Sequence, residues 1–177
     1  ERPNIVPVVD AIREAVSADT MIYSDMTQLA YAAVEVWDME MVGHWHHPSG
    51  FGTLGYATPA AIGGAIGRPN MPTMAIIGDY GFHYTCQELG VAVELGLSLP
   101  IILWDNGKLG EIEDSMIAAQ IAPNAVIAHN PDYCKLAEAF GAKSTAPKSL
   151  EEMQAAIQSA FKVDGPTLIY VTPDILN

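Results

Sequence analysis

The chain has 177 residues, of which 8 are Lys or Arg and 21 are Asp or Glu, so its formal charge is −13. Half of the residues are apolar and only 16% are charged, which excludes a disordered chain and is typical of one domain with a packed core. The acidic balance argues against nucleic acid or an anionic membrane as a partner, because both are bound by clustered Lys and Arg.

Short apolar runs alternate with longer amphipathic stretches along the chain. In chain order, the patterns predict a helix over 6–17, a strand over 20–24, helices over 26–36 and 59–66, a strand over 73–77, a helix over 84–95, a strand over 101–104, helices over 131–140 and 150–161, and a strand over 167–171. Strands that are apolar throughout, separated by helices, predict an α/β fold. We expect a doubly wound, mainly parallel sheet with helices on both faces, in a single domain over residues 1–177.

Two polar turns follow successive predicted strands. Gly78-Asp79-Tyr80-Gly81 comes after one strand, and Asp105-Asn106-Gly107 comes after the next. Ligands of such folds bind beyond the carboxyl ends of the strands, so the two turns should meet at one edge of the sheet. A carboxylate, an amide oxygen and a loop carbonyl suit Mg²⁺ or Ca²⁺, and glycine N–H groups with a helix opening near Tyr84 suit an anion. Each motif alone is explained as well by a tight turn, but the pair indicates a diphosphate held through a divalent cation.

These segments resemble the signature of thiamine-diphosphate-dependent enzymes. Residues 78–112 are similar to the family's Gly-Asp-Gly motif, its Gln-Glu-Leu helix and its following Asn-Asn. Residues 46–67 resemble its Ser-Gly-Gly-Leu-Gly-Thr-Met-Gly…Pro-Ala-Ala-Ile-Gly run, and 130–144 and 165–171 resemble its closing helix and strand. The likeness covers nearly the whole chain and is greatest to the branch of acetolactate synthase, benzoylformate decarboxylase and related 2-oxo acid decarboxylases.

The resemblance implies a thiamine diphosphate-binding fold with thiamine diphosphate and Mg²⁺ as cofactors. Asp79, the side chain of Asn106 and the carbonyl of Lys108 would ligate the metal. The carbonyl of Gly52 would accept a hydrogen bond from the cofactor's exocyclic amino group, and Leu54 would lie beneath its two rings and bend them, so both are expected to take part in catalysis. The full set of implied cofactor contacts is Gly52, Thr53, Leu54, Gly78, Asp79, Tyr80, Gly81, Asn106, Lys108, Leu109 and Gly110.

Three positions depart from the family pattern. Tyr80 stands at the third position of Gly-Asp-Gly; since a tyrosine does not adopt a positive φ easily, the turn is expected to use Gly81 instead, or Tyr80 to lie over the diphosphate. Asp105 replaces the first Asn of Asn-Asn, while Asn106, the expected ligand, is retained. The segment 111–121 lacks a Gln-Trp-Gln pattern, which favours a decarboxylase or an unassigned relative over a synthase.

Other patterns have competing interpretations. Residues 50–55 fit Gly-x-Gly-x-x-Gly of a nicotinamide dinucleotide site, but the polar residues 44–49 before them do not predict the strand that such a site needs. His44, His46 and His47 are compatible with zinc, although a neutral loop near the cofactor explains them better. In the family's fold this loop would run toward the substrate, so His46 or His47 is expected to orient a 2-oxo acid or to carry a proton.

The cysteines and the distribution of apolar residues give further expectations. Cys86 and Cys134 lie among apolar neighbours in predicted helices, which indicates inert buried thiols. Two cysteines make no disulfide framework, so we expect a cytoplasmic setting. No apolar run approaches the roughly 20 residues of a membrane span. Trp37, Met39 and Met41 with Trp45 form an apolar patch that is typical of an interface.

Nothing in the chain resembles the pyrimidine-binding domain that carries the catalytic glutamate of these enzymes. The resemblance therefore implies a C-terminal cofactor domain, a fragment or subunit of a larger, homo-oligomeric enzyme, inactive on its own. The complete enzyme would decarboxylate a 2-oxo acid or join it to a second carbonyl compound. A non-catalytic or regulatory relative stays open as the alternative, because Tyr80 and Asp105 depart from the motif.

Overall fold

Within residues 2–177, which the computed structural model describes, six parallel strands form one sheet. The strands are β1 (Met21–Ser24), β2 (Trp45–His46), β3 (Thr73–Gly78), β4 (Pro100–Trp104), β5 (Lys143–Thr145) and β6 (Thr167–Val171). Their order across the sheet is β2-β1-β3-β4-β6-β5. The central strands are buried at every position, as expected for a parallel sheet covered on both faces.

Eight α-helices lie within the described residues, and all of them except the helix Gly110–Ala118 pack against a face of the sheet. They are α1 (Val6–Ala15), α2 (Gln28–Val36), α3 (Ala57–Gly67), α4 (Asp79–Thr85), α5 (Leu89–Glu94), α6 (Gly110–Ala118), α7 (Tyr133–Ala139) and α8 (Leu150–Ala160), with 3₁₀ turns at Arg2–Ile5, Cys86–Glu88 and Pro173–Leu176. Helices α1, α2 and α8 pack on one face, and α3, α4, α5 and α7 pack on the other. The longest helices described have 11 residues, and none is long and apolar enough to cross a membrane.

Alternate residues of the strands divide between two apolar cores. Along β3, Met74 and Ile76 pack under α1, α2 and α8, whereas Ala75 and Ile77 pack under the opposite helices. All four are fully buried. A completely buried side chain of the size of Met74, Ile76 or Ile77 contributes roughly 1.5–3 kcal/mol to folding, so both faces of the sheet contribute to its stability.

The predicted doubly wound α/β fold is confirmed, with a sheet that is entirely parallel in the described residues. The four predicted strands agree with β1, β3, β4 and β6 to within one residue, whereas β2 and β5 were not predicted. The predicted helix over 84–95 is wrong in one important respect, since α4 begins at Asp79 and a 3₁₀ turn separates it from α5. The sequence predicts no strand over residues 44–49, and this is also wrong, because Trp45 and His46 pair with β1.

The strand order determines where a ligand can enter. β1 has β2 on one side and β3 on the other, and the chain leaves β1 for α2 on one face but leaves β3 for α4 on the opposite face. Such a switch point opens a crevice at the carboxyl ends of the strands. β3 and β4 are direct neighbours with Gly78 opposite Trp104, so the two predicted polar turns lie side by side.

Candidate functional site

A cleft of about 210 Å³ lies at this switch point, between the carboxyl ends of β1, β3 and β4. Its lining comprises Met26, Thr27, Gln28, Tyr31, Gly52, Leu54, Gly78, Asp79, Tyr80, Gly81, Asn106, Lys108, Leu109, Gly110, Glu111 and Ile112. The structure therefore brings together ten of the eleven residues predicted to contact a cofactor. The eleventh, Thr53, is exposed in the same loop and lies outside the lining.

The first turn of α4 forms one wall of the cleft. Gly78 precedes the helix in an extended conformation, with φ −87° and ψ 165°, and Asp79, Tyr80 and Gly81 follow as its first three residues. Neither Tyr80 nor Gly81 has a positive φ, so the expected left-handed turn at Gly81 is wrong. β3 runs directly into the helix and needs no such residue. The N–H groups of a first helical turn have no backbone carbonyl partner within the helix, which suits an anion.

Two buried carboxylates stand side by side behind this turn. Asp79 is 3% exposed and Asp105 is 8% exposed. The amide of Asn130 donates a 2.8 Å hydrogen bond to each of them. Burial raises the pKa of the Asp79 carboxyl and the Asp105 charge adds to this, while the hydrogen bonds from Asn130 and from the Tyr80 N–H oppose it. The hydroxyl of Tyr170 donates to Asp105 at 2.8 Å.

The loop after β4 presents the second predicted ligand. The Asn106 amide nitrogen donates to Oε1 of Gln28 at 2.8 Å, which fixes the orientation of the side chain. Its oxygen is only 3.4 Å from the Lys108 N–H, a long hydrogen bond that leaves acceptor capacity. The Leu109 N–H donates to the carbonyl of Val126 at 2.8 Å, so the loop is held by the segment that follows α6.

This donor set suits a hard divalent cation. One carboxylate, one amide oxygen and one backbone carbonyl are oxygen ligands of the type that Mg²⁺ accepts, and substrate or cofactor phosphates commonly complete its shell. Among the side chains that the structure describes, neither Asp79 nor Asp105 forms an ion pair with Lys or Arg. Two adjacent buried carboxylates without a cationic partner are costly, and a bound cation relieves that cost. The described residues contain no cluster of three or more His, Cys, Asp or Glu side chains that could hold a metal without such help.

The loop over 50–55 forms the opposite wall. Gly52 has a φ of +62°, and its N–H donates to the carbonyl of Pro48 at 2.9 Å, so the loop turns back on itself there. A side chain at this position would be strained, since only glycine adopts such a φ freely. Leu54 is half-buried and its side chain lies along the cleft.

The two predicted substrate-facing histidines lie beside the cleft and outside its lining. His46 stacks on Tyr23, with ring centroids 4.7 Å apart. The Nδ1 atom of His47 lies 2.8 Å from the hydroxyl of Ser24, and its ring meets the edge of Tyr31, which does line the cleft. Burial lowers the pKa of His47, which favours its neutral form.

The prediction of buried thiols is wrong for both cysteines. Cys86 and Cys134 are only half-buried and unpaired. Cys86 falls in the 3₁₀ turn between α4 and α5 instead of a continuous helix, and Cys134 lies in the first turn of α7. Of the predicted interface patch, Trp37 and Trp45 contact each other and pack against the core, while Met41 is exposed.

Sequence reasoning missed several residues of the site. Met26, Thr27 and Gln28 lie two to four residues beyond the end of β1, so the rule that ligands bind where strands end could have found them. Asn130 could not be found in this way, because it lies in a loop before α7 and follows no strand. Only the folded chain brings it within hydrogen-bond distance of Asp79 and Asp105.

The chain is similar to known proteins over most of its length. Residues 25–171 match the family described as thiamine pyrophosphate enzyme, C-terminal TPP binding domain. The probable 2-ketoarginine decarboxylase AruI of Pseudomonas aeruginosa is 40% identical over 163 residues, which are 92% of this chain and 29% of that protein. The large subunit of acetolactate synthase isozyme 2 of Escherichia coli is 31% identical over 167 residues, which are 90% of this chain and 30% of that protein.

Solved structures show the same relationship. The thiamine diphosphate-dependent 4-hydroxybenzoylformate decarboxylase of Rhodococcus jostii RHA1 superposes with a TM-score of 0.87 and 26% identity, over 95% of this chain and 32% of that one. The chain thus spans about a third of the length of these relatives. The Gly-x-Gly-x-x-Gly segment over 50–55 falls within the matched domain. The chain belongs to the thiamine pyrophosphate enzyme family and forms its C-terminal TPP-binding domain.

Proposed function

We propose that the cleft binds the diphosphate of thiamine diphosphate through Mg²⁺, with Asp79, the Asn106 side chain and the Lys108 carbonyl as protein ligands. The observation that carries this proposal is the buried carboxylate of Asp79, which has no cationic partner among the described side chains and faces a cleft shared with Asn106. The start of α4 beside it supports the placement of the anionic group.

The remaining contacts follow from the two walls of the cleft. On the α4 side, the N–H groups of Tyr80 and Gly81 would face the diphosphate, with Gly78 leading into the turn. On the other side, the Gly52 carbonyl and the Leu54 side chain would hold the rings, and Thr53 would lie at the rim. Leu109 and Gly110 would close the site next to Lys108. When bound, thiamine diphosphate supplies an electron sink for cleavage of the bond beside a 2-oxo group.

We further propose that the chain acts within an enzyme that decarboxylates or joins 2-oxo acids, of the acetolactate synthase-like or 2-oxo acid decarboxylase type. The names of the relatives support this class, since one is a probable 2-ketoarginine decarboxylase and another an acetolactate synthase subunit. His46 or His47, beside the cleft, would orient the acid or carry a proton. A cytoplasmic location is consistent with the two unpaired cysteines.

The catalytic machinery would be completed by a second domain. We propose that a pyrimidine-binding domain, carrying the glutamate that activates the cofactor, meets this cleft in a homo-oligomer. The chain covers only about a third of its relatives, which leaves room for such a domain in proteins of this family. This chain alone would then bind the cofactor without turning over substrate.

Calorimetric titration of the chain with thiamine diphosphate tests the binding site. We expect binding with Mg²⁺ and none with EDTA, and we expect Asp79→Ala to abolish the Mg²⁺-dependent binding. Asp114→Ala, an exposed aspartate of α6, is the matched control and should bind like the wild type. Equal affinity of Asp79→Ala and wild type would refute the assigned metal site. Absence of binding by the wild-type chain, even with a relative's pyrimidine-binding domain supplied, would favour the alternative of a non-catalytic relative that binds the cofactor poorly because of Tyr80 and Asp105.

A further inference from the structure

Asp25 is a fully buried acid that the proposed chemistry does not use. It follows β1 directly and is 0% exposed. Its Oδ1 accepts a hydrogen bond from the Met26 N–H at 2.8 Å, and its Oδ2 accepts one from the Gly55 N–H at 2.7 Å. Burial raises the pKa of this carboxyl, while the N–H groups of Met26, Gly55 and Tyr56 act in the opposite direction. A buried acid that is met by several backbone N–H groups has a defined structural task.

The same carboxylate packs against the first turn of α4. A Cβ atom added to Gly81 would lie 2.3 Å from Oδ2 of Asp25 and 3.2 Å from the Gly55 nitrogen. No side chain fits between these groups without displacing the carboxylate or the backbone of the loop. The absence of a side chain at Gly81 therefore allows one carboxylate oxygen to touch two segments at once.

Three segments of the site meet at this carboxylate. The first is the end of β1, which leads to Gln28 and through it to Asn106. The second is the loop over 50–55, which carries Gly52 and Leu54 in the cleft wall. The third is the start of α4, which forms the opposite wall. Asp25 itself does not line the cleft, so its effect on a ligand must pass through these segments.

We propose that Asp25 is a positioning residue that sets the separation of the 50–55 loop and the first turn of α4, and so the distance between the ring-holding and diphosphate-holding halves of the site. This inference rests on the proposed function for the identity of the ligand. The competing explanation is an ordinary cap, because Gly55 and Tyr56 immediately precede α3. A cap alone affects the stability of α3 and leaves cofactor affinity unchanged.

The isosteric variant Asp25→Asn separates these explanations. It keeps the shape of the side chain but removes the charge. It also replaces one oxygen acceptor with an NH2 donor, which then faces a backbone N–H donor. We expect thiamine diphosphate with Mg²⁺ to bind about 10-fold more weakly or worse, because charge-assisted hydrogen bonds to the loop are lost. Asp19→Asn is the matched control and should bind like the wild type. Asp19 is an exposed aspartate that lies two residues before the first residue of β1, at the end of the strand away from the cleft.

Amide hydrogen exchange gives a second readout that requires no ligand. In the wild-type chain the amides of Gly55 and Tyr56 should exchange much more slowly than that of the exposed Phe51 in the same loop. In Asp25→Asn they should exchange at least about 10-fold faster. Unprotected amides in the wild type would overturn the inference, as would a folded Asp25→Asn variant with wild-type affinity.

The two proposals fail in different ways. If the wild-type chain binds no thiamine diphosphate while the exchange pattern is as expected, the proposed function fails and the structural link through Asp25 stands. If Asp25→Asn does not fold, Gly81→Ala tests the same contact from the other side and should speed exchange at Gly55 and weaken binding. Gly90→Ala in α5, where an added Cβ meets nothing within 4 Å, is its control. Unchanged exchange at Gly55 in Gly81→Ala would overturn the inference.

Discussion

The side-chain amide of Asn130 donates a 2.8 Å hydrogen bond to Oδ2 of Asp79, so a residue of the loop between α6 and α7 holds the carboxylate that follows β3. The same amide nitrogen donates to Asp105 at 2.8 Å and thereby joins two strand ends. Its oxygen is therefore turned away from both carboxylates and lies 3.3 Å from Nε2 of His83. This single amide compensates for the acidic residue at position 105, where two carboxylates would otherwise repel each other without a mediator.

Replacing Asn130 with Ala should weaken Mg²⁺-dependent cofactor binding. The loss of a side chain that orients a metal ligand typically lowers metal affinity by about 10- to 100-fold, and we expect a value in that range. Titration with Mg²⁺ at saturating thiamine diphosphate measures it. Asn124→Ala, an exposed residue of the same loop, should have no effect. Equal Mg²⁺ affinity in Asn130→Ala and wild type would show that Asp79 needs no such support.

Two neighbouring glycines of α3 should respond in opposite directions to alanine. A Cβ added to Gly64 would lie 2.4–2.6 Å from the ring and hydroxyl of Tyr23, whereas one added to Gly63 meets nothing within 4 Å. Because Tyr23 is buried in the core and stacked on His46, moving its ring disturbs the packing, and Gly64→Ala should cost about 1–3 kcal/mol of unfolding free energy. Gly63→Ala should raise it by roughly 0.5–1 kcal/mol through helix propensity.

Urea unfolding followed by circular dichroism measures both variants. Each change adds the same methyl group to the same helix, so each variant is the control of the other. A stable Gly64→Ala variant would mean that Tyr23 has a second, equally favourable position. Loss of stability in Gly63→Ala would mean that this face of α3 is not open.

The parts of the fold predicted from sequence are those in which burial determines residue type. β3 and β4 are buried at every position, so their apolar runs are continuous and predict strands directly. β2 has two residues, both half-buried, and β5 includes an exposed lysine, so neither shows such a run. α6 was missed for a related reason: apart from Gly110 it buries no residue and has no apolar face for a periodicity to reveal.

In the candidate site too, the residues that could be predicted are those that a local sequence pattern places. Asp79 and Asn106 could be predicted because each comes directly after a buried strand and strand ends of a parallel sheet share one edge. Asn130 and Asp25 could not be assigned their roles, since their partners lie 51 and 30 positions away and no local pattern links them. The conformation of Tyr80 was missed because the motif suggested a loop, whereas Gly78 lets β3 pass straight into α4.

His47 should make folding stability depend on pH in the weakly acidic range. Its pKa lies below the ordinary value of 6.5 because burial disfavours the charged ring. The unfolded chain therefore takes up a proton at higher pH than the folded chain, so the folded state loses stability as the pH falls below about 6.5. His47→Gln should reduce the fall in Tm between pH 7.5 and pH 5, taken relative to the wild type.

Thermal unfolding across this pH range checks the prediction. His129→Gln, an exposed histidine, is the control and should retain the wild-type dependence. A His47→Gln profile parallel to that of the wild type would show that the ring is as free to take up a proton in the folded chain as in the unfolded one.

Leu54→Ala should weaken cofactor binding while leaving the fold almost unchanged. Leu54 is half-buried in a loop and its side chain lies along the cleft, so truncation opens no cavity in either core. The apolar surface that it would share with a bound ring is worth on the order of 1–2 kcal/mol, which predicts an affinity for thiamine diphosphate lower by about 10-fold. Calorimetry with Mg²⁺ present measures the affinity, and a thermal melt checks the fold. Leu95→Ala makes the same change away from the cleft, at a leucine that is 55% exposed at the end of α5. This control should change neither the affinity nor the Tm. An unchanged affinity in Leu54→Ala would remove this side chain from the cofactor contacts, while a large loss of Tm would mean that the loop depends on Leu54 for its own packing.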